Sequence, residues 1–296
     1  MKNLKGILLP TTTPFDQNGK ILASAISSNI KDWTAKGVIG FVVLGSTGER
    51  VHLDEREYLE TIEISRAATP SDSVFIVGAG QQSTAGTIKE VKNAARAGAD
   101  AVLVITPYFY RTAITQETLV SFYTAVADEA PVPVLLYSMP PLTGIKIEPE
   151  TVARLSEHPN IVGVKDSSND VAGFSKTVSL CPNDFAVMTG NGTVLFDALR
   201  AGATGAILAV GCVVPEVCVE IFRALKAGDE ERAAMLQSKL TPLAAAVTTR
   251  FGIGGLKAAL DLAGFIGGSV RAPLLGPDEA ARTEIKAALD RITGLT

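Results

Sequence analysis

Lys165 closes the apolar run IVGVK in the segment IVGVKDSS (residues 161–168). With strand periodicity, Ile161, Gly163 and Lys165 share one face and Val162, Val164 and Asp166 the other, so an inward-facing first set hangs Lys165 over Gly163, which leaves it room. An interior amine is a nucleophile. A lysine side chain ordinarily titrates near ~10.4, so neutrality at pH 7 costs about 4.6 kcal/mol, which desolvation among apolar side chains can supply. The neutral amine attacks a ketone to form an imine, an electron sink that stabilises a neighbouring carbanion without a metal. Tyr137, near the end of VPVLLYSMP (residues 132–140), shares a face with Leu135 and offers a phenol for proton shuttling. Parallel strands lie ~4.8 Å apart, which brings Tyr137 within reach of Lys165 if their strands are neighbours. GSTGER (residues 45–50) sets the hydroxyls of Ser46 and Thr47 beside glycines, a source of side-chain and backbone donors for a carboxylate. The bland alternatives are a solvated lysine, a half-buried tyrosine with one hydrogen bond, and an N-cap and turn before the helix that starts near Asp54.

Such groups need strands to carry them. Eight short apolar runs occur, at residues 6–12, 40–45, 74–80, 101–107, 134–139, 161–165, 185–190 and 205–211. Their nearly continuous hydrophobicity suits parallel strands buried on both faces. Amphipathic segments such as 54–68 and 84–97 lie between them. AKGVIGFVVLG, ARAGADAVLVI and LRAGATGAILA repeat one grammar, a basic helix end, a glycine stop and a strand. Eight βα units in about 225 residues give an α/β fold, a (β/α)8 TIM barrel, in preference to a doubly wound sheet. Residues 227–296 read as three helices that form a C-terminal helical extension, so the expected division is a catalytic barrel over 1–226 and a helical bundle over 227–296.

Composition narrows the chemistry. Of 296 residues, 27 are Lys or Arg and 31 Asp or Glu, a formal net charge of -4 that offers no broad cationic face for nucleic acid. Apolar runs stay far below the ~20 residues of a membrane span, and the N-terminal residues lack the marks of a signal or transit peptide, so no membrane association and a cytoplasmic location are expected. The three cysteines, Cys181, Cys212 and Cys218, have no CxxC spacing and read as small buried hydrophobes. The two histidines, His52 and His158, are far apart, so neither a metal site nor a cofactor is expected. VGAGQQS (residues 77–83) has two glycines of a dinucleotide fingerprint, but Ser83 stands where the third belongs; Gly78 and Gly80 read as strand-end glycines.

GSTGER, the tyrosine of LLYSMP and GVKDSS together resemble the signatures of the dihydrodipicolinate synthase and N-acetylneuraminate lyase family of class I pyruvate aldolases. The resemblance runs from LLPTTTPF (residues 8–15) through TPYFYR (residues 106–111) to the helical tail, in family order. It implies a homotetrameric barrel in which Lys165 forms a Schiff base with pyruvate or another 2-oxo acid and Tyr137 relays protons. It further implies that Ser46 and Thr47 hold the substrate carboxylate, and that Gly190 and Ile207 line the ketoacid pocket through their backbone. Dihydrodipicolinate synthases usually carry an arginine where PPLTG has Leu142, and a relay tyrosine where TPYFYR has Phe109. LYSMPPLTG, HPNIVGVKDSSND and residues 244–274 look instead like 4-hydroxy-2-oxoglutarate aldolases, so the expected reaction is cleavage to pyruvate and glyoxylate. The alternatives are 4-hydroxy-tetrahydrodipicolinate synthesis, dehydration of a sugar acid by the same imine and, last, a barrel that binds ligand without turnover. Tyr108 and Tyr110 are candidates to replace the missing tyrosine, although strand alternation would point them away from Phe109. Arg111 and Arg250 are candidate cations for a distal carboxylate.

Overall fold

The structure, a computed structural model, describes residues 2–293. Eight parallel strands close into a barrel in sequence order: β1 Ile7–Pro10, β2 Gly40–Val43, β3 Val74–Ala79, β4 Ala101–Ile105, β5 Val134–Ser138, β6 Ile161–Asp166, β7 Ala186–Thr189 and β8 Gly205–Ile207, with β8 pairing back onto β1. All eight expected strands are present. Their continuous hydrophobicity follows from two cores. Leu8, Val42, Ile76, Leu103, Leu135, Met188 and Ile207 fill the lumen, while alternate residues such as Leu9, Val43, Phe75, Val104 and Val187 face the surrounding helices.

Period-two counting fails in one strand. Val134 pairs with Ile161 but Leu135 pairs with Gly163, a bulge that places two residues of β6 opposite one step of β5. Ile161 therefore joins the outer core, and Val162 packs against the lumen. The expectation that Ile161 shares a face with Lys165 is corrected by that extra residue. Downstream of it, Gly163, Val164 and Lys165 pair in regular register with Leu135, Leu136 and Tyr137.

The helices that follow the strands are α1 Ala23–Thr34, α2 Glu55–Ala68, α3 Thr84–Arg96, α4 Gln116–Glu129, a single turn α5 Pro140–Thr143 with α6 Pro149–Leu155, then α7 Val171–Leu180, α8 Leu195–Arg200 and α9 Pro215–Lys226. The repeated glycine stops do what their spacing implies: Gly98 and Gly202 sit at φ +95° and +100°, in the left-handed region that ends a helix before the next strand. The tail contains the three expected helices, α10 Glu230–Ala245, α11 Gly252–Leu262 and α12 Glu279–Asp290. Leu236, Leu240, Leu256 and Ile285 of these helices share one core with Ile7, Leu9 and Phe41 of the barrel. Among the described residues no helix is long and apolar enough to cross a membrane.

Trp33 joins these parts. It lies on the buried stripe Ile26, Ile30, Trp33 of α1, its indole N–H donates to the Cys212 carbonyl at 2.9 Å, and its ring meets Phe265 of the tail at 5.6 Å between centroids. Trp33→Ala should destabilise the protein by about 4 kcal/mol through the cavity it leaves. A shift in the denaturant midpoint checks this; an unchanged midpoint would show that barrel and tail do not depend on this contact.

Candidate active site

Tyr137 and Lys165 are direct cross-strand partners near the C-terminal ends of β5 and β6, and both are buried. The Lys165 Nζ lies 4.3 Å from the centroid of the Tyr137 ring. Strand position alone produces this encounter, because regular register beyond the bulge sets both side chains on the lumen face.

Room for Lys165 comes from a different glycine than the spacing suggests. A Cβ on Gly163 would meet the Ala186 carbonyl oxygen at 2.5 Å, so Gly163 serves the close approach of β6 and β7. A Cβ on Gly190, just past β7, would stand 2.7 Å from the Lys165 Cε and 2.0 Å from the Ser167 Oγ. Gly190 is thus at the site, as a space for the amine's stem. Ser167, buried two residues after Lys165, is a functional candidate that lay unremarked within the quoted GVKDSS. Its signal was spacing, since it repeats the parity of Lys165.

Ser46 and Thr47 occupy a 3₁₀ turn, Ser46–Gly48, directly after β2. The Ser46 Oγ is 3.3 Å from the Tyr137 hydroxyl, and Thr47 is buried in the same turn. The N-cap reading belongs to a later residue. Asp54 accepts from the Glu57 N–H and Glu57 returns a bond to the Asp54 N–H, a capping box that starts α2 and leaves Ser46 free for the site. Two non-glycine residues bracket the turn in the left-handed region, Leu44 at φ 57° and Glu49 at φ 53°. Each such residue costs of order 1–3 kcal/mol and persists only where its surroundings dictate it. Ile207 ends β8 and packs in the lumen core below the site.

The tyrosines differ by environment rather than burial. Burial pushes the Tyr58 and Tyr123 phenols above their ordinary range; each donates to a backbone carbonyl, Gly78 and Val104 respectively, at 3.0 Å. Burial pushes Tyr137 the same way, but the adjacent Lys165 ammonium, with hydrogen bonds involving Ser46, Ser167 and Lys165, outweighs it and holds the phenol below the ordinary tyrosine value. A cation and hydroxyls that stabilise the phenolate make Tyr137 a more acidic phenol than the other buried tyrosines, suited to giving and taking a proton.

A cavity of about 430 Å³ opens above these groups, lined by Ser46, Tyr137, Ile105, Tyr108, Leu142 and Thr143 among others. A second, of about 750 Å³, lies beside it between α2 and α3 and shares Arg50, Val51, Gly80 and Tyr108 with the first; Tyr137 lines only the first, and Lys165 lines neither. After β4 the chain leaves strand conformation, so alternation does not govern TPYFYR. Phe109 and Tyr110 project together into solvent, 71% and 72% exposed, with ring centroids 5.1 Å apart, whereas Tyr108 lines the cavity. Arg111 reaches over Gly144 beside Leu142 and Thr143, since a Cβ there would touch its Cδ at 2.9 Å. Arg250 pairs instead with Glu284 on the tail surface. Cys212 and Cys218 are buried, and burial pushes the Cys218 thiol up to about 12, which keeps it neutral. Gly78 is the penultimate residue of β3 and Gly80 follows its last residue, at the strand end as expected, and Ser83 caps α3 rather than facing a pyrophosphate.

Residues 3–292 match the family described as the dihydrodipicolinate synthetase family. A 4-hydroxy-tetrahydrodipicolinate synthase from Syntrophus aciditrophicus is 35% identical over 96% of this chain and 97% of its own. The crystal structure of dihydrodipicolinate synthase from Thermotoga maritima superposes with a TM-score of 0.94 at 32% identity, covering 99% of this chain and 100% of that one. A prophage protein of the dihydrodipicolinic acid synthase family from E. coli, solved in complex with pyruvate, gives 0.91 at 29% identity over 98% of both chains. The relatives carry the synthase name rather than that of a 4-hydroxy-2-oxoglutarate aldolase, so the names bear out the family and the stated alternative and not the expected aldolase.

Ultraviolet titration should reveal a phenol that ionises below the ordinary tyrosine value of ~10 and disappears in Tyr137→Phe. Because the ammonium favours the phenolate, Lys165→Met must move that ionisation upward; a titration unchanged in Lys165→Met would contradict the assignment.

Proposed function

The chain belongs to the dihydrodipicolinate synthetase family, and on that premise we propose that Lys165 forms an imine with the ketone of pyruvate and that Tyr137 moves the protons. It is an enzyme, a class I pyruvate-dependent aldolase among the lyases. The observation that carries the residue assignment is the cross-strand pairing of a buried amine with a buried phenol whose acidity that amine raises.

The Tyr137 phenolate takes a proton from the Lys165 ammonium, the neutral Nζ adds to the ketone carbon, and the proton nitrogen then loses goes to the carbonyl oxygen to give a carbinolamine. Loss of that hydroxyl as water, with Tyr137 as proton donor, leaves the imine. A proton then leaves the methyl carbon and its electron pair flows into the imine, giving an enamine. The enamine carbon attacks an aldehyde, the aldehyde oxygen is protonated, and water releases the product from Lys165; cleavage is the same sequence reversed. Ser46 and Thr47 hold the pyruvate carboxylate with hydroxyl and turn donors, while Gly190 and Ile207 bound the ketoacid from below. The apolar lumen under Lys165 keeps water from the amine.

The names of the relatives support aspartate semialdehyde as the aldehyde, hence 4-hydroxy-tetrahydrodipicolinate synthesis. One observation favours the second reading, aldol cleavage of 4-hydroxy-2-oxoglutarate. Leu142, 65% exposed, lines the cavity where the synthases usually place an arginine; Arg50, which lines the cavity, is paired with Glu90, which leaves Arg111 beside Gly144 as the candidate cation for a distal carboxylate. The exposed apolar side chains Val51, Phe109, Tyr110 and Leu142 support self-association, for which the family resemblance implies a homotetramer; light scattering at the mass of one chain overturns it.

Pyruvate with borohydride should add a covalent mass at Lys165, and Lys165→Ala should abolish it; no adduct at saturating pyruvate overturns the reading. Tyr137→Phe should slow turnover by about 10²–10⁴-fold. Coupled assays with aspartate semialdehyde against 4-hydroxy-2-oxoglutarate separate the readings. If Arg111 holds the distal carboxylate, Arg111→Ala should raise KM for the preferred partner about tenfold and leave the pyruvate adduct intact.

A further inference from the structure

The turn bearing Ser46 and Thr47 is gripped by residues from the far end of the chain. Glu49, which closes the turn in the left-handed conformation, donates its N–H to the Ser46 carbonyl at 3.2 Å and buries its carboxylate almost completely. Lys257, on α11 of the tail and equally buried, places its Nζ 2.5 Å from the Glu49 Oε1. The same ammonium donates to the carbonyls of Thr13 at 2.7 Å and Ser269 at 2.6 Å, so the Glu49 carboxylate is held by charge against a lysine that two backbone oxygens fix in place. The second Glu49 oxygen accepts the Arg271 backbone N–H at 3.0 Å and touches the His52 Nδ1 at 3.3 Å. Arg271 holds both oxygens of Glu57, the capping residue of α2, at 2.7 and 2.8 Å. From the other side, the Thr13 hydroxyl donates to the Gly48 carbonyl at 2.7 Å.

A buried ion pair is a poor device for stability, because apolar residues of the same volume do as well. It is a good device for fixing one backbone conformation that the local sequence disfavours. Among the described residues, Leu44 and Glu49 are the two non-glycine positions in the left-handed region, and they bracket the turn that faces Tyr137. We propose that Lys257 is a positioning residue for substrate binding. By fixing the Glu49 carboxylate, it keeps Glu49 left-handed and holds the donors of residues 46–48 at the barrel mouth, aimed at the substrate carboxylate. The C-terminal extension is then a working part of the pyruvate site. This inference rests on the pyruvate reading above.

The test measures the borohydride-trapped adduct against pyruvate concentration in wild type, Lys257→Met, and the charge-free pair Glu49→Gln/Lys257→Met, with Lys286→Ala as a control on the exposed face of α12. Both variants should need about tenfold more pyruvate for half-saturation while still reaching a labelled plateau, because a misaimed binding turn is overcome by concentration. A purely structural role would lower the plateau with the folded fraction and leave half-saturation where it was. Unchanged half-saturation in either folded variant overturns the proposal, as does failure of both to fold, which would make the pair a folding requirement. An absent adduct in wild type overturns the pyruvate reading instead.

Discussion

The register of β5 against β6 is the constraint on which the site depends. Opposite strand positions put the Tyr137 ring beside the Lys165 Nζ, and the closed barrel leaves neither strand an edge along which to slip. A shift of one residue would turn Lys165 outward among the helices and replace it with Val164 or Asp166. The bulge at Val134 and Leu135 is part of that register, since it absorbs an extra residue before the reactive positions and returns Gly163 and Lys165 to the lumen. Below them, Leu135, Met188 and Ile207 plug the barrel, so the amine meets ligand only from the C-terminal end.

Given that pairing, the electrostatics follow. Three buried tyrosines share a desolvation cost that favours the neutral phenol; at Tyr58 the Arg50 guanidinium is opposed by Glu90, whereas at Tyr137 a lysine and several hydroxyls reverse the effect. The same logic governs the second buried lysine. Lys257 has its amine lowered by burial and opposed by Glu49, and it is engaged by a carboxylate and two carbonyls. Lys165 lies against the Tyr137 ring, whereas Lys257 is tied to a carboxylate and two backbone carbonyls. Two buried lysines of the same type divide into a reactive amine and a fixed anchor by what surrounds them.

Much of this was legible in the residues. Short continuous apolar runs bounded by glycine and proline suit strands buried on both faces, and a glycine after a basic helix end announces the return to the next strand. Eight repeats leave the barrel as the economical closure. Lys165 and Tyr137 stood out because each breaks an apolar run at a position where a strand should end. Other features resisted reading. Gly163 looked like the space for Lys165 because it precedes it by one period, whereas Gly190, from the adjacent strand's end, provides that space. Strand alternation does not reach TPYFYR, because the chain turns after Ile105, and Phe109 and Tyr110 project together into solvent.

By itself, the sequence determined element type, order and number, and the chemical kinds available at the strand ends, because these depend on periodicity and side-chain type within a few residues. Only the tertiary structure decided which glycine makes room for the amine, where the bulge resets parity, and that Lys257 and Arg271 hold a turn more than two hundred residues earlier in the chain. Those are contacts between segments whose separation along the chain carries no local signal. They exist because barrel closure and tail packing bring the segments into one buried space, where each polar group must find a partner.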